Sequence, residues 1–281
     1  MSFKSIIMAV AASFFLINST TFAATIIPEP YAFSLDRFTI QVENPPISTV
    51  VDEFNDGVLD PALWEVYDPT VVESGEVVTF QSPGEVVKVT PNIYSSWSYI
   101  GSKFSMTNDM GSFVGTSTWL PIVPQSNQFY GMGLSLQDPL TGKEGQEIGI
   151  SIINLEDPVI LGADFFDIPP GLGIWFSRRT ESDKLQQSQF VPIDESFITG
   201  DIVLYLGFDD VTQSFNAGFS LDGGATVQEP FMPDVTGPTS FGNWSFGAES
   251  LIAVSEPHSF SLFCLALMGL FWVQRRKYLN C

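Results

Sequence analysis

The sequence predicts an all-β protein, one sandwich of antiparallel strands with a short apolar segment at each end. Polar and apolar residues alternate with a period of two between clusters of Gly, Pro, Asn and Asp, as is typical of strands joined by tight turns. No stretch between residues 24 and 253 has the periodicity of a helix longer than two turns. The length of that region fits one sandwich, a class that often spans about 200–250 residues.

The first 23 residues have the pattern of a signal peptide. Lys4 supplies a positive charge, residues 6–17 form an apolar core, and Thr21-Phe22-Ala23 satisfies the small-x-small rule for cleavage. We therefore expect cleavage after Ala23 and export of the protein.

The exported body divides into a lead-in, residues 24–48, and the sandwich, residues 49–253. The lead-in is rich in proline and is predicted to carry one edge strand, with Phe38, Ile40 and Val42 on one face. Within the sandwich, Asp222-Gly223-Gly224 predicts a tight turn. The alternating stretches are "VVTF", "VKV", "FYGMGLSLQ", "QEIGISII", "LGIWFS", "IVLYLGF", "SFNAGFSL" and "NWSFGAES".

Composition excludes several classes of function. The chain has 32 acidic and 11 basic residues and a net charge of −21, which disfavours nucleic acid as a partner. The acidic surface could attract Ca²⁺ or be merely solvated. The only histidine, His258, and both cysteines, Cys264 and Cys281, lie beyond residue 253, so the body has no disulfide, His-based triad or His-rich zinc site.

Residues 254–281 have the pattern of a membrane-associated tail. An apolar run, residues 259–273, predicts a helix of about 22 Å, shorter than the roughly 30 Å hydrocarbon core of a bilayer. Arg275, Arg276 and Lys277 then favour a cytoplasmic end, which places the body outside. Such a tail could be a temporary hold for a processing enzyme or a permanent anchor.

The order Val254-Ser255-Glu256-Pro257, apolar helix, Arg275-Arg276-Lys277 resembles the PEP-CTERM sorting signal of Gram-negative bacteria, with Ser255 in place of the first proline. The resemblance implies recognition by an exosortase-type membrane protease. The inner membrane would hold the protein transiently. Its destination would be the cell surface or the extracellular matrix, in association with extracellular polysaccharide.

The stretch "VVDEFNDGVLDPALWEVYDP" resembles the opening of concanavalin A-like lectin/glucanase (LamG-like) domains. "VVESGEVVTFQSPG" and "LYLGFDDVTQSFNAGFSLDGG" continue that resemblance over roughly residues 50–250. It implies a two-sheet antiparallel jelly-roll sandwich, often with one concave face that binds glycans. Aromatic side chains that could stack on sugar rings there, or instead fill the core, are Trp97, Trp119, Trp175 and Trp244.

Glycosidases on related folds carry Glu-x-Asp-x-Glu on one strand, since alternate residues share a face. The nearest match here keeps Glu147 but has Gly149 and Ser151 at the other two positions. We therefore expect a non-catalytic protein, with a glycoside hydrolase as the alternative. Lectin-like sandwiches often bind Ca²⁺ through Asp and Asn. The calcium candidates, which could equally be turn residues, are Asp52, Asn55, Asp56, Asp209 and Asp210.

Overall fold

The structure is a computed structural model that describes residues 29–43, 47–67, 70–82, 87–90, 93–107, 110–137, 144–156, 168–179, 185–229 and 241–253. Its strands, in chain order, are β1 (Ala32–Val42), β2 (Ile47–Asp52), β3 (Trp64–Val66), β4 (Val72–Ser74), β5 (Val77–Gln81), β6 (Val87–Thr90), β7 (Ile93–Ser105), β8 (Phe113–Trp119), β9 (Gln128–Gln137), β10 (Glu144–Leu155), β11 (Gly171–Arg179), β12 (Leu185–Pro192), β13 (Ile202–Asp209), β14 (Ser214–Ser220) and β15 (Phe241–Ala253). In these ranges the helical structure is one 3-10 turn, Glu195–Phe197.

The strands form two antiparallel sheets, which confirms the predicted sandwich. The seven-stranded sheet has the order β14-β13-β8-β1-β5-β4, with β2 also paired to β1. The eight-stranded sheet has the order β12-β11-β10-β9-β15-β7-β3, with β6 also paired to β7. Strand β15 thus lies between β9 and β7, although it is the last of the fifteen in the chain.

Large aromatic side chains fill the space between the sheets. The ring of Phe38 lies 5.3 Å from that of Trp244 and 4.7 Å from that of Phe246. Gly115 of β8 makes room for Trp244, since a Cβ there would lie 2.3 Å from the indole Cη2 atom. Each fully buried side chain of this size stabilises the fold by about 1.5–3 kcal/mol. The core thus supplies the stability that disulfides give to smaller secreted domains.

Two predictions about local structure can be compared with the observed elements. The turn at Asp222-Gly223-Gly224 is confirmed, with φ values of 74° at Gly223 and 92° at Gly224. The lead-in strand, however, is not at an edge. Strand β1 pairs with β8 on one side and with β5 and β2 on the other. Its buried residues, Phe33, Leu35 and Phe38, require cover from the facing sheet, which a central strand receives along its whole length.

The predicted signal peptide, residues 1–23, and the predicted sorting tail, residues 254–281, lie outside the described residues. Within the described ranges no helix is long and apolar enough to cross a membrane.

Candidate functional site

The outer face of the eight-stranded sheet, turned away from the seven-stranded sheet, contains an open cavity of about 630 Å³. Five neighbouring strands line it: β11, β10, β9, β15 and β7. Successive residues of a strand point to opposite faces, so each strand contributes alternate residues to the cavity and the intervening residues to the core.

The floor of the cavity consists of residues with little or no side chain. One row across the strands is formed by Ser177, Gly149, Gly133 and Ser245, which are neighbours in register. The next row contains Ser151, Gly131 and Gly247. Trp175 and Tyr99 stand at the two ends of this row. We call these seven Gly and Ser residues the cavity floor. A ligand placed there would lie almost directly on the backbone of the sheet.

Two of the glycines have different surroundings. At Gly131 a Cβ would lie 2.2 Å from the carbonyl oxygen of Ile150, so the neighbouring strand itself requires glycine. At Gly149 the nearest atom to a Cβ would be the carbonyl oxygen of Met132 at 3.4 Å, an ordinary contact distance. A side chain at position 149 would therefore point into the cavity without a clash with the sheet.

Two carboxylates are held in place by serine hydroxyls. Ser245 donates from Oγ to Oε1 of Glu147 over 3.0 Å, and Ser95 donates from Oγ to Oε1 of Glu249 over 2.5 Å. Glu147 extends across β9, since a Cβ at Gly133 would lie 2.2 Å from its Oε1 atom. Both carboxylates line the cavity, but at opposite ends of it.

The register of β15 keeps these carboxylates apart. Glu147 bonds to Ser245, and Glu249 lies four residues further along β15, about 13 Å away at roughly 3.3 Å per residue. Ser95 is the register partner of Leu251, so the Glu249 carboxylate leans away from Glu147. Glycosidase carboxyl pairs are about 5–5.5 Å apart in retaining enzymes and about 6.5–9.5 Å apart in inverting ones.

Aromatic residues form the walls. Half-buried Trp97 and Tyr99 stand on β7, with ring centroids 4.6 Å apart. Exposed Tyr67 stacks on Tyr99 at 4.4 Å, which extends the aromatic row beyond the cavity. Burial, and then the charges of Glu65 and Glu147, raise the pKa of Tyr99. The phenol is therefore neutral at physiological pH and can donate a hydrogen bond.

The four candidate tryptophans occupy two different environments. Trp97 and Trp175 line the cavity, although Trp175 is only 3% exposed and packs in a small apolar cluster with Ile153 and Leu251. Trp119 and Trp244 are fully buried between the sheets, so neither can stack on a sugar. This corrects the prediction for those two residues, because their strands place them at core-facing positions.

The candidate calcium ligands lie in separate turns. The carboxylate of Asp52 accepts hydrogen bonds from the backbone N–H of Phe54 and from Nε1 of Trp64, at 2.8 and 2.6 Å. Asp56 accepts from the backbone N–H of Val58 at 3.1 Å, and Asn55 donates to Glu53. These polar groups stabilise the turn itself.

The other two calcium candidates close the β13–β14 hairpin. Hydrogen bonds from Thr212 and Val211 hold the pKa of Asp209 below its usual value. Asp210 accepts from the side chain of Gln213 at 2.9 Å. In the part of the chain that the structure describes, no group of three or more His, Cys, Asp or Glu side chains could hold a metal ion. The candidate set therefore does not fit one calcium site.

Sequence reasoning missed most of the cavity. The signal was present in "FYGMGLSLQ", where Gly131 and Gly133 alternate with Met132 and Leu134. Two successive outward positions of that strand carry no side chain, which indicates a surface not used for core packing. Glu249 and Ser95 had no comparable signal, since their contact joins positions 154 residues apart.

Several lectins are among the solved structures to which the chain is similar. A peanut lectin has a TM-score of 0.39 and 11% identity over 80% of this chain and 91% of that one. A lectin from Bauhinia forficata in complex with GalNAc has a TM-score of 0.38 and 8% identity over 81% of this chain and 100% of that one. The VIP36 exoplasmic/lumenal domain in a Ca²⁺/Man3GlcNAc-bound form has a TM-score of 0.32 and 11% identity over 70% of this chain and 87% of that one. No protein-family model and no curated protein matches the chain.

Proposed function

We propose that this chain is an exported, non-catalytic protein that binds extracellular polysaccharide in the cavity on the outer face of the eight-stranded sheet. The observation that carries the proposal is the floor of glycine and serine with aromatic rings and two oriented carboxylates around it. Sugar rings present apolar C–H faces and hydroxyl edges, which such walls and such acceptors complement.

The separation of the carboxylates supports binding rather than hydrolysis. A glycosidase needs two carboxyl groups on either side of one bond. Glu147 and Glu249 are instead at opposite ends of the cavity, each already oriented by a serine. Two such acceptors can each hold a different sugar hydroxyl along one chain.

The cavity proposal can be tested by filling the floor. The full chain and its Gly149→Phe variant are applied to a glycan array, with Gly149→Ala as the matched control. We expect Gly149→Phe to weaken binding at least tenfold because the new ring occupies the cavity, while Gly149→Ala keeps the binding within about threefold. Unchanged binding by Gly149→Phe would place the glycan elsewhere and overturn the proposal. Release of reducing ends from a bound glycan would favour the hydrolase alternative.

Export and sorting form the second part of the proposal. Residues 1–23 would direct secretion, and residues 254–281 would hold the body at the inner membrane until an exosortase-type protease processes the segment around Glu256-Pro257. A proline lacks a backbone N–H and disfavours helical backbone at the residue before it, so this sequence is expected to be accessible to a protease. The mature protein would then reach the cell surface or matrix of a Gram-negative bacterium.

The sorting proposal is tested in a host with a matching exosortase. Glu256→Ala/Pro257→Ala should retain the full-length protein in the inner membrane. The control is the same double change at Glu29 and Pro30, which belong to a Pro-Glu-Pro sequence that no apolar helix is predicted to follow. Mass spectrometry of the surface protein gives the readout. Intact residues 278–281 on most wild-type molecules would show that the tail is a lasting anchor.

A further inference from the structure

We propose that the cavity selects polysaccharides without negative charge and that Glu147 sets this preference. The inference rests on the proposed function, because it specifies the ligand class of the same cavity. Among the described residues that line the cavity, the charged side chains are Glu147 and Glu249, and both are acidic. A uronate or sulfate group placed on the floor would therefore meet like charge.

Glu147 is better placed than Glu249 to repel a negatively charged ligand on the floor. Its carboxylate lies over the floor at Gly133 and is exposed, so a ligand on the floor must contact it or pass beside it. Glu249 is directed toward Ser95 at the far end. The hydrogen bond from Ser245 holds the Glu147 carboxylate over Gly133, where the absence of a side chain leaves room for it.

Desolvation by the ligand increases the discrimination. Charges that face each other at a water-excluded contact repel strongly and suppress binding of the wrong partner. An uncharged sugar avoids that cost and can donate hydrogen bonds from its hydroxyl groups to the carboxylate oxygens.

Two of the described basic residues lie away from the cavity floor. Lys103 donates to the carbonyl oxygen of Pro61, and Arg37 belongs to β1 in the other sheet. Arg179 is the register partner of Glu147 at the end of β11. Since arginine carries the charge opposite to that of Glu147, the experiment includes a variant at Arg179.

The experiment compares glycans that differ in charge alone. Laminarin and its C6-oxidised form, and carboxyl-reduced and native polygalacturonate, are titrated with the full chain at 20 and 500 mM NaCl. We expect each uncharged member to bind at least tenfold more tightly than its uronate partner at low salt. The ratio should fall at high salt, where exposed charges are screened.

Two variants test whether Glu147 causes the preference. Glu147→Gln should reduce the ratio of the affinities for the uncharged and the uronate glycan at least threefold. Glu76→Gln, the same charge change at an exposed turn of the other sheet, should leave this ratio unchanged. Equal effects of the two variants would mean that net charge acts without the cavity, and would overturn the inference. A uronate preference that Arg179→Gln abolishes would overturn it as well.

The two proposals fail in different ways. Uronate binding that Gly149→Phe blocks would refute the charge preference but keep the cavity as a glycan site. Binding that Gly149→Phe does not affect would refute the cavity itself.

Discussion

The inner and outer faces of β9, β10 and β15 belong to the same strands but carry opposite kinds of side chain. Toward the core these strands present large apolar residues, among them Leu134, Ile150 and Phe246. Over the cavity floor they present Gly and Ser, and Glu147 and Glu249 stand at its ends. Core packing and space for a ligand therefore depend on alternate positions of the same strands. Most substitutions should affect mainly the property that belongs to their own face.

The largest expected effect separates two tryptophans on opposite faces. Trp244→Ala should lower the free energy of unfolding by about 3–5 kcal/mol, because it leaves a cavity in the packed core. Trp97→Ala, on the outer face, should cost less than half as much, since its side chain is only partly buried. Urea unfolding, with m-values equal to that of the wild type, measures both losses in free energy of unfolding. Equal losses would remove the distinction between the faces.

A smaller effect separates two glycines of the floor. Gly131→Ala should destabilise the protein by about 1–3 kcal/mol, because the new methyl group meets the backbone of β10. Gly149→Ala should be neutral or stabilise by about 0.5–1 kcal/mol, since glycine within a strand loses more entropy than alanine does. Thermal unfolding of the pair measures this difference. Similar costs at both positions would mean that the floor is uniformly packed.

The smallest expected effect concerns carboxylates and pH. Burial, and then hydrogen bonding with Asp56, raise the pKa of Glu73, which faces the core beside Val78. A raised pKa of an acid means that its stabilising contribution is present below the unfolded pKa, about 4.3, and is lost as pH rises through the folded value. Glu73→Gln mimics the protonated form and should be more stable than wild type by about 1 kcal/mol at pH 7. That advantage should vanish at pH 4. An advantage of Glu73→Gln that persists at pH 4 would assign the gain to packing instead of to the proton.

Local pattern was enough to predict the strands, because alternation and turn residues are properties of neighbouring positions. "IVLYLGF" and "SFNAGFSL" became the β13–β14 hairpin in this way. The position of β1 in its sheet and the cavity could not be predicted, since both depend on which distant strands pair. Trp175 and Tyr99 face one floor only because β10, β9 and β15 lie between their strands. Periodicity contains no information about that order.

The central position of β15 also determines when the cavity can exist. Strands β9 and β7 do not pair with each other directly, and each keeps one edge unpaired until residues 241–253 insert between them. Unpaired edges of this kind are prone to intermolecular pairing, and closure of so long a loop is slow. A chain that is still emerging therefore has an incomplete sheet and no floor. Completion of the cavity therefore coincides with the arrival of the last strand, residues 241–253.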